Sequence, residues 1–110
     1  MGRFQVQGLQ VGNVSEYDYR EAEMEIELEL SLGVGDRIHI IGSNTDFIQL
    51  VESMTYDGDE VERGRAAQTV RVPVKYHVCV GDAIILLPPR EGDEDGPAQD
   101  GLGLWGRRRG

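Results

Sequence analysis

The chain has 110 residues, a length that suits one domain with one modest core and hardly two. Its 20 acidic and 11 basic residues leave a formal charge of −9, which excludes a general binder of nucleic acid or membrane surfaces, since both need a positive field. A local basic patch on an acidic body stays open. Hydrophobic residues make up 39% of the chain and aromatic ones only 6%, so the core has to be mostly aliphatic. The lone cysteine, Cys79, cannot close an internal disulfide, so the fold does not depend on an oxidising compartment. No apolar run approaches the roughly 20 residues of a membrane span, and residues 1–10 do not read as a signal peptide. A soluble cytoplasmic protein is expected.

Residues 9–19 read as a first strand and its exit, with Gly12 and Asn13 between Val11 and Val14. The next segment carries the clearest pattern. Met24, Ile26, Leu28 and Leu30 alternate with Glu23, Glu25, Glu27 and Glu29. A period of two sends one set to the core and the other to solvent. Glu and Leu favour helices, but on a helix these apolar residues would scatter around the cylinder, so pattern overrides propensity. Gly33 and Gly35 end the strand, and residues 36–42 form a third with Ile38 and Ile40 on one face. Ser43, Asn44, Thr45 and Asp46 make a turn, because short polar side chains bond their own backbone.

Residues 47–56 read as a long, bent fourth strand, followed by a hairpin turn at Asp57-Gly58-Asp59. Residues 61–68 are polar and irregular. Residues 69–74 form a fifth strand in which Val70, Val72 and Val74 alternate, and Pro73 marks it as an edge strand or as one with a dispensable bond. Residues 81–87 form a sixth, apolar throughout and so buried on both sides. One echo stands out: Val34-Gly35-Asp36 and Val80-Gly81-Asp82 each open a strand. Gly allows a tight turn and Asp accepts backbone bonds, so both read as structural corners.

After Leu87 the character changes. Pro88-Pro89 stops the strand, and the remaining residues are rich in Gly and acids, with Leu102, Leu104 and Trp105 almost alone as apolar ones. Such a stretch buries too little surface to offset its ordering entropy. The expected organisation is a flexible N-terminus over 1–8, a β-barrel over 9–88 and a disordered, acidic, Gly-rich tail over 89–110 that ends in Trp105 and Arg107-Arg108-Arg109. Six short strands without a helix point to a small closed barrel, since closure removes unpaired edges.

The chemistry-bearing residues are few. No phosphate-cradling loop exists, so no nucleotide triphosphate is expected, and Gly33-Val34-Gly35 precedes a strand where a dinucleotide site needs a helix. His77 and Cys79 supply two metal ligands, too few for a zinc site. As a nucleophile pair they are a weaker alternative, because Cys79 sits in an apolar run with Val78 and Val80, where a buried inert thiol is commoner. His39 should point outward from its strand. The acids of residues 21–29 form a wet ladder with no burial to tune them, so they read as a solvated face or as a surface for a basic partner rather than as an acid–base pair or a calcium site. No cofactor, metal or catalytic residue is expected. The basic residues cluster: Arg63, Arg65, Arg71 and Lys75 are the candidate patch for an RNA backbone or an acidic protein, with Arg71 and Lys75 facing outward together.

The order Val34-Gly35-Asp36-Arg37-Ile38-His39-Ile40, Gly42, Thr45-Asp46-Phe47, Val51-Glu52-Ser53-Met54, Asp57-Gly58, Val61-Glu62 and Val80-Gly81-Asp82 resembles the second domain of translational GTPases such as elongation factor Tu. It is closer still to stand-alone translation-factor-like small proteins and to the barrel appended to collagenase-like peptidases. The likeness covers residues 9–88. Gly64-Arg65-Ala66 looks like the Gly-Arg-Ala run of elongation factor Tu, with Ala67 where that family has Gly. The resemblance implies an all-β, six-stranded antiparallel closed barrel of the domain II type. It further implies a non-catalytic module docking RNA (tRNA or rRNA) or a protein of the translation or RNA-modification machinery. The alternative is a protein–protein adaptor unrelated to RNA. The matching residues are turns and core positions, so the likeness speaks to fold more than to function.

Overall fold

A computed structural model describes residues 8–88 of the chain. The expected flexible N-terminus, Gly8 apart, and the expected disordered tail lie outside the described residues. Within them every regular element is a strand: β1 (Leu9–Asp18), β2 (Glu23–Leu28), β3 (Leu32–Gly33), β4 (Arg37–Gly42), β5 (Thr45–Leu50), β6 (Thr55–Tyr56), β7 (Asp59–Glu60), β8 (Arg63–Gly64), β9 (Thr69–Pro73) and β10 (Ala83–Leu86). Eight of them form one sheet in the order β5-β4-β10-β1-β2-β9-β6-β7, and β3 pairs with β8 separately. All pairings are antiparallel.

The core follows from the period of two. Met24, Ile26 and Leu28 of β2 are buried, as are Ile38 and Ile40 of β4, Val70 and Val72 of β9, and Ile84 of β10. Leu30 lies past the end of β2 and is exposed. The fully buried side chains are aliphatic, and Tyr17 and Phe47 only lean on the cluster from its rim.

Two corners hold this sheet in its curled shape. Residues 33–36 and 79–82 form the same turn, with Gly35 at φ 97° and Gly81 at φ 96° in its third position. That sign is the one a type II turn demands and only Gly adopts freely. In the first corner the Gly33 N–H donates to Asp36 Oδ2 at 2.8 Å and the Asp36 N–H to Gly33 O at 3.1 Å. In the second the Cys79 N–H donates to Asp82 Oδ2 at 2.8 Å and the Asp82 N–H to Cys79 O at 3.0 Å. Each corner then grips a distant valine in both directions. The Gly35 N–H donates to Val51 O and the Val51 N–H to Asp36 O, while the Gly81 N–H donates to Val14 O and the Val14 N–H to Asp82 O.

The expected fourth strand is in fact broken. β5 ends at Leu50, and β6 begins at Thr55. Val51 and Met54 are both buried, at 1% and 0% exposure. Three residues apart on one straight strand they would face opposite ways. The chain therefore bends between them, because the backbone of Val51 is held by the first corner. Its end turns back at Asp57 and Gly58, both with positive φ, as a two-residue hairpin requires. The irregular stretch 61–68 contains β8. These short pieces, with β3 at Leu32–Gly33, raise the strand count from the expected six to ten.

The hydrogen-bonded ladder does not close on itself; it ends at β5 on one side and at β7 on the other. A side chain spans the gap between β5 and the end of β9. Gln49 is 5% exposed. Its Nε2 donates to Pro73 O at 2.8 Å and to Leu50 O at 3.2 Å, and its Oε1 accepts the Lys75 N–H at 2.9 Å. Phe47 and Tyr76 pack edge to face beside it, with centroids 5.0 Å apart. Pro73 is not on an edge strand, for β9 lies between β2 and β6. It is the last residue of β9, and the β6 pairing stops at Arg71, so that side asks nothing of its missing N–H.

Two of these details set measurable stabilities. Replacing Gln49 by Ala removes the partner of the Pro73 carbonyl and the Lys75 N–H, bonds that are part-buried, and should lower unfolding stability in urea by about 1 kcal/mol. Ala67 holds φ 74° on an exposed turn. An L side chain there costs about 1–2 kcal/mol, partly offset by the unfolded-state freedom of Gly, so Ala67→Gly should raise stability by about 0.5–1 kcal/mol.

Candidate functional site

An open groove of about 400 Å³ lies on the outer face of β1, β2 and β9. A bulge in β1 creates it. Val14 pairs with Ile26 and both point inward, but the register then slips between Val14 and Glu16, leaving Ser15 extra. Its hydroxyl donates to Glu25 O at 3.3 Å. Beyond the slip Tyr17 pairs with Met24 and leans on the core, while Glu16 pairs with Glu25 and Asp18 with Glu23. Without the extra residue strict alternation would send Glu16 and Asp18 inward and Tyr17 outward. The bulge thus places two carboxylates of β1 beside two of β2.

Arg71 of β9 lies across them. Its Nε donates to Glu23 Oε1 at 3.1 Å, Nη1 to Glu25 Oε2 at 3.4 Å and Nη2 to Asp18 Oδ2 at 3.2 Å. One guanidinium thereby stitches three adjacent strands, a use of its fork that Lys does not have. Its side chain is 36% exposed, so solvent screens each pair, and the network matters more as geometry than as energy. Asp18 also closes the turn into β2, where Oδ1 accepts the N–H groups of Arg20 at 3.1 Å and Glu21 at 3.2 Å. The Glu21 N–H, joined by that of Arg20 and by Arg71, holds the Asp18 carboxyl below its usual pKa despite partial desolvation. Desolvation works to lower the Arg71 pKa, but the hydrogen bond and charge of Glu23 outweigh it and raise it further.

Tyr17, Tyr19 and Arg20 complete the lining. Tyr19 is 71% exposed, with the Arg20 guanidinium 5.9 Å from its ring centre. Four carboxylates thus stand against two guanidiniums. The acids of β2 continue outward to the exposed Glu27 and Glu29.

The four basic residues singled out in the sequence do not share one surface element. Arg71 is inside the carboxylate network. Arg63 belongs to the β3–β8 pair, where its guanidinium lies against Gly33 and Nη1 donates to Ser31 Oγ at 3.3 Å. Arg65 is exposed in the following turn, its N–H bonded to Gln68 Oε1 at 2.9 Å. Lys75 is exposed past the end of β9. His77 packs edge to face on Tyr17 with centroids 4.7 Å apart, and Cys79 is part of the second corner. His39 pairs with Asp46 at 2.6 Å across β4 and β5. Among the described residues no three His, Cys, Asp or Glu side chains gather in a way that could hold a metal ion. No helix among them is long and apolar enough to cross a membrane.

The parity of Glu23, Glu25 and Arg71 was legible in the sequence, but their company was not. Glu16, Tyr17, Asp18 and Tyr19 join the groove only through the bulge, and a single extra residue leaves no mark in an alternation pattern.

No protein-family model matches the chain, and no curated protein does. Two solved structures share its fold. One is the C-terminal domain of a candidate U32 peptidase of Geobacillus thermoleovorans, with a TM-score of 0.69 and 21% identity over 72% of this chain and 92% of that one. The other is the selenomethionine variant of the same domain, with a TM-score of 0.67 and 21% identity over 70% and 98%. This agrees in fold with the expected likeness to the barrel appended to collagenase-like peptidases. At this identity it speaks to fold alone.

The network predicts a pH signature. Because the folded pKa of Asp18 is depressed, its contribution is present above the unfolded value and is lost as pH falls through the folded one. Arg71→Ala should cost about 1 kcal/mol at pH 7, leaving three carboxylates face to face. The deficit should shrink as the pH falls through the depressed Asp18 value. Urea unfolding of both proteins across the acid range measures it; a deficit that grows on acidification would contradict the assignment.

Proposed function

We propose that the chain is a non-catalytic binding module that docks a protein partner, taking a basic segment on the outer face of β1, β2 and β9. The observation that carries this is the engagement of Arg71 by Asp18, Glu23 and Glu25. It takes the central cation of the expected basic patch out of play for phosphate, and it presents half-buried carboxylates in fixed positions. Charge-assisted bonds to Lys or Arg are strongest where the acceptors are held in this way. The overall charge of −9 steers the same class of partner. RNA docking through Arg63, Arg65 and Lys75 has less support, because those side chains are spread over separate elements.

The domain II likeness is part of the same proposal, as is a closed cylinder with Gln49 as the seam between β5 and β9. A cytoplasmic site of action goes with it. The occurrence of the fold as the C-terminal domain of a candidate peptidase is in keeping with a module that serves other proteins.

The test is a nuclear magnetic resonance titration of the full chain, first with an arginine-rich peptide and then with a short single-stranded RNA. Peptide binding should shift Glu16, Asp18, Glu23 and Glu25 and weaken steeply with salt. RNA binding centred on Arg63, Arg65 and Lys75, with no peptide effect, would overturn the proposal.

A further inference from the structure

We propose that the inner end of the β4–β5 hairpin is a binding site for one ordered water, which ties Thr45 of β5 to Asp82 of the second corner. The site is internal and separate from the docking face.

Two buried polar groups meet there. The first is Thr45, which is 4% exposed. Its Oγ1 is fully buried and has no hydrogen-bond partner among the described residues. Thr45 shares strand parity with Phe47, which packs against the core, and with the buried Gln49, so its side chain is aimed inward. A buried hydroxyl is costly to leave bare, and where the protein offers no partner an ordered water commonly serves.

The second is Asp82, which is 5% exposed. Its Oδ2 accepts the Cys79 N–H at 2.8 Å. Its Oδ1 makes no hydrogen bond among the described residues, where the ion pairs engage only His39 and Arg71 as cations. A carboxylate this deeply buried calls for more than one donor. Asp36, its counterpart in the first corner, is only half-buried and is solvated from outside.

The register brings the two together. Gly42 is the cross-strand partner of Thr45, and Asp82 Oδ1 occupies the place where a Cβ of residue 42 would lie. Paired Cβ positions are about 5 Å apart, so Asp82 Oδ1 stands about 5 Å from Thr45 Cβ. The hydroxyl and the carboxylate make no direct bond, but one water spans the interval, since two bonds of about 2.8 Å meeting at a tetrahedral angle reach about 4–5 Å.

The chemistry selects the occupant. Thr45 supplies a donor and Asp82 an acceptor, and water accepts from the one while donating to the other. A divalent cation would need about six oxygens, and among the described residues no three His, Cys, Asp or Glu side chains gather to supply them. The water gives the second corner a tie that the first lacks. The clamp on Val14 continues through Asp82 to the hairpin that ends β4.

A high-resolution crystal structure of the full chain should show one well-ordered water within about 3.2 Å of both Thr45 Oγ1 and Asp82 Oδ1. Empty density there, or a hydroxyl bonded straight to the carboxylate, would overturn the proposal. Thr45→Val removes the hydroxyl and keeps the shape. It should raise the unfolded-to-folded ratio about five-fold at a fixed urea concentration. A Thr45→Val protein as stable as the wild type, or more stable, would overturn the proposal, because exchanging a bare hydroxyl for a methyl group relieves the fold. Thr45→Ser and Thr45→Ala lose the same methyl and differ only in the hydroxyl, which repeats the comparison should valine not be accommodated. Thr45→Ser should be the more stable of the two; equal stability, or the reverse order, would count against the water.

Discussion

The structure depends on a turn used twice. In each corner a Gly with positive φ reverses the chain, and the next residue, an Asp, folds its carboxylate back onto the turn's first N–H. The freed backbone of the corner then bonds a valine far away in sequence, Val51 in one case and Val14 in the other. The strands that leave the two corners, β4 and β10, pair with each other, Ile40 against Ile84. Of the gripped valines, Val51 directly follows β5 and Val14 lies within β1, the strands on either side. The middle of the sheet is thus framed by two equivalent clamps, and its curl is set by backbone geometry and not only by packing. Asp82 is 5% exposed, and its carboxylate also lies against Gly42 at the end of β4. A buried carboxylate left without such bonds would be costly, which ties the Asp of the motif to the Gly before it.

With the interior settled, the exterior carries the individuality of the chain. The inner face is aliphatic and generic. Outside, one bulge at Ser15 brings β1 carboxylates into line with those of β2, and Arg71 reaches across from β9. Like charges directly opposite, such as Glu16 and Glu25, are unfavourable on a sheet. A surface selected only for stability would not place them there.

The fold was largely legible because it is written in a short-range code. The alternation of Glu23 to Leu28 and of Thr69 to Val72, and the two Val-Gly-Asp triplets, each state a local geometry that the structure adopts. What stayed hidden has a common cause. The break after Leu50, the bulge at Ser15 and the bridging role of Gln49 are long-range events, decided by which distant backbone group a residue meets. Arg71 shows the limit most clearly. Its outward direction was readable, but a cation and a cation already spent on three carboxylates look alike in a sequence. Ala67 shows the converse, for it holds a left-handed backbone that a sequence would more readily place at a Gly.

Amide hydrogen exchange, followed residue by residue, tests the double clamp most directly. If both corners frame one cooperative body, the amides of Gly35, Val51, Gly81 and Val14 exchange only on global unfolding, with the same protection free energy. Exchange at one corner many times faster than at the other would show that half of the sheet opens on its own, and a face displayed across β1, β2 and β9 would then lack the rigid frame that docking there requires.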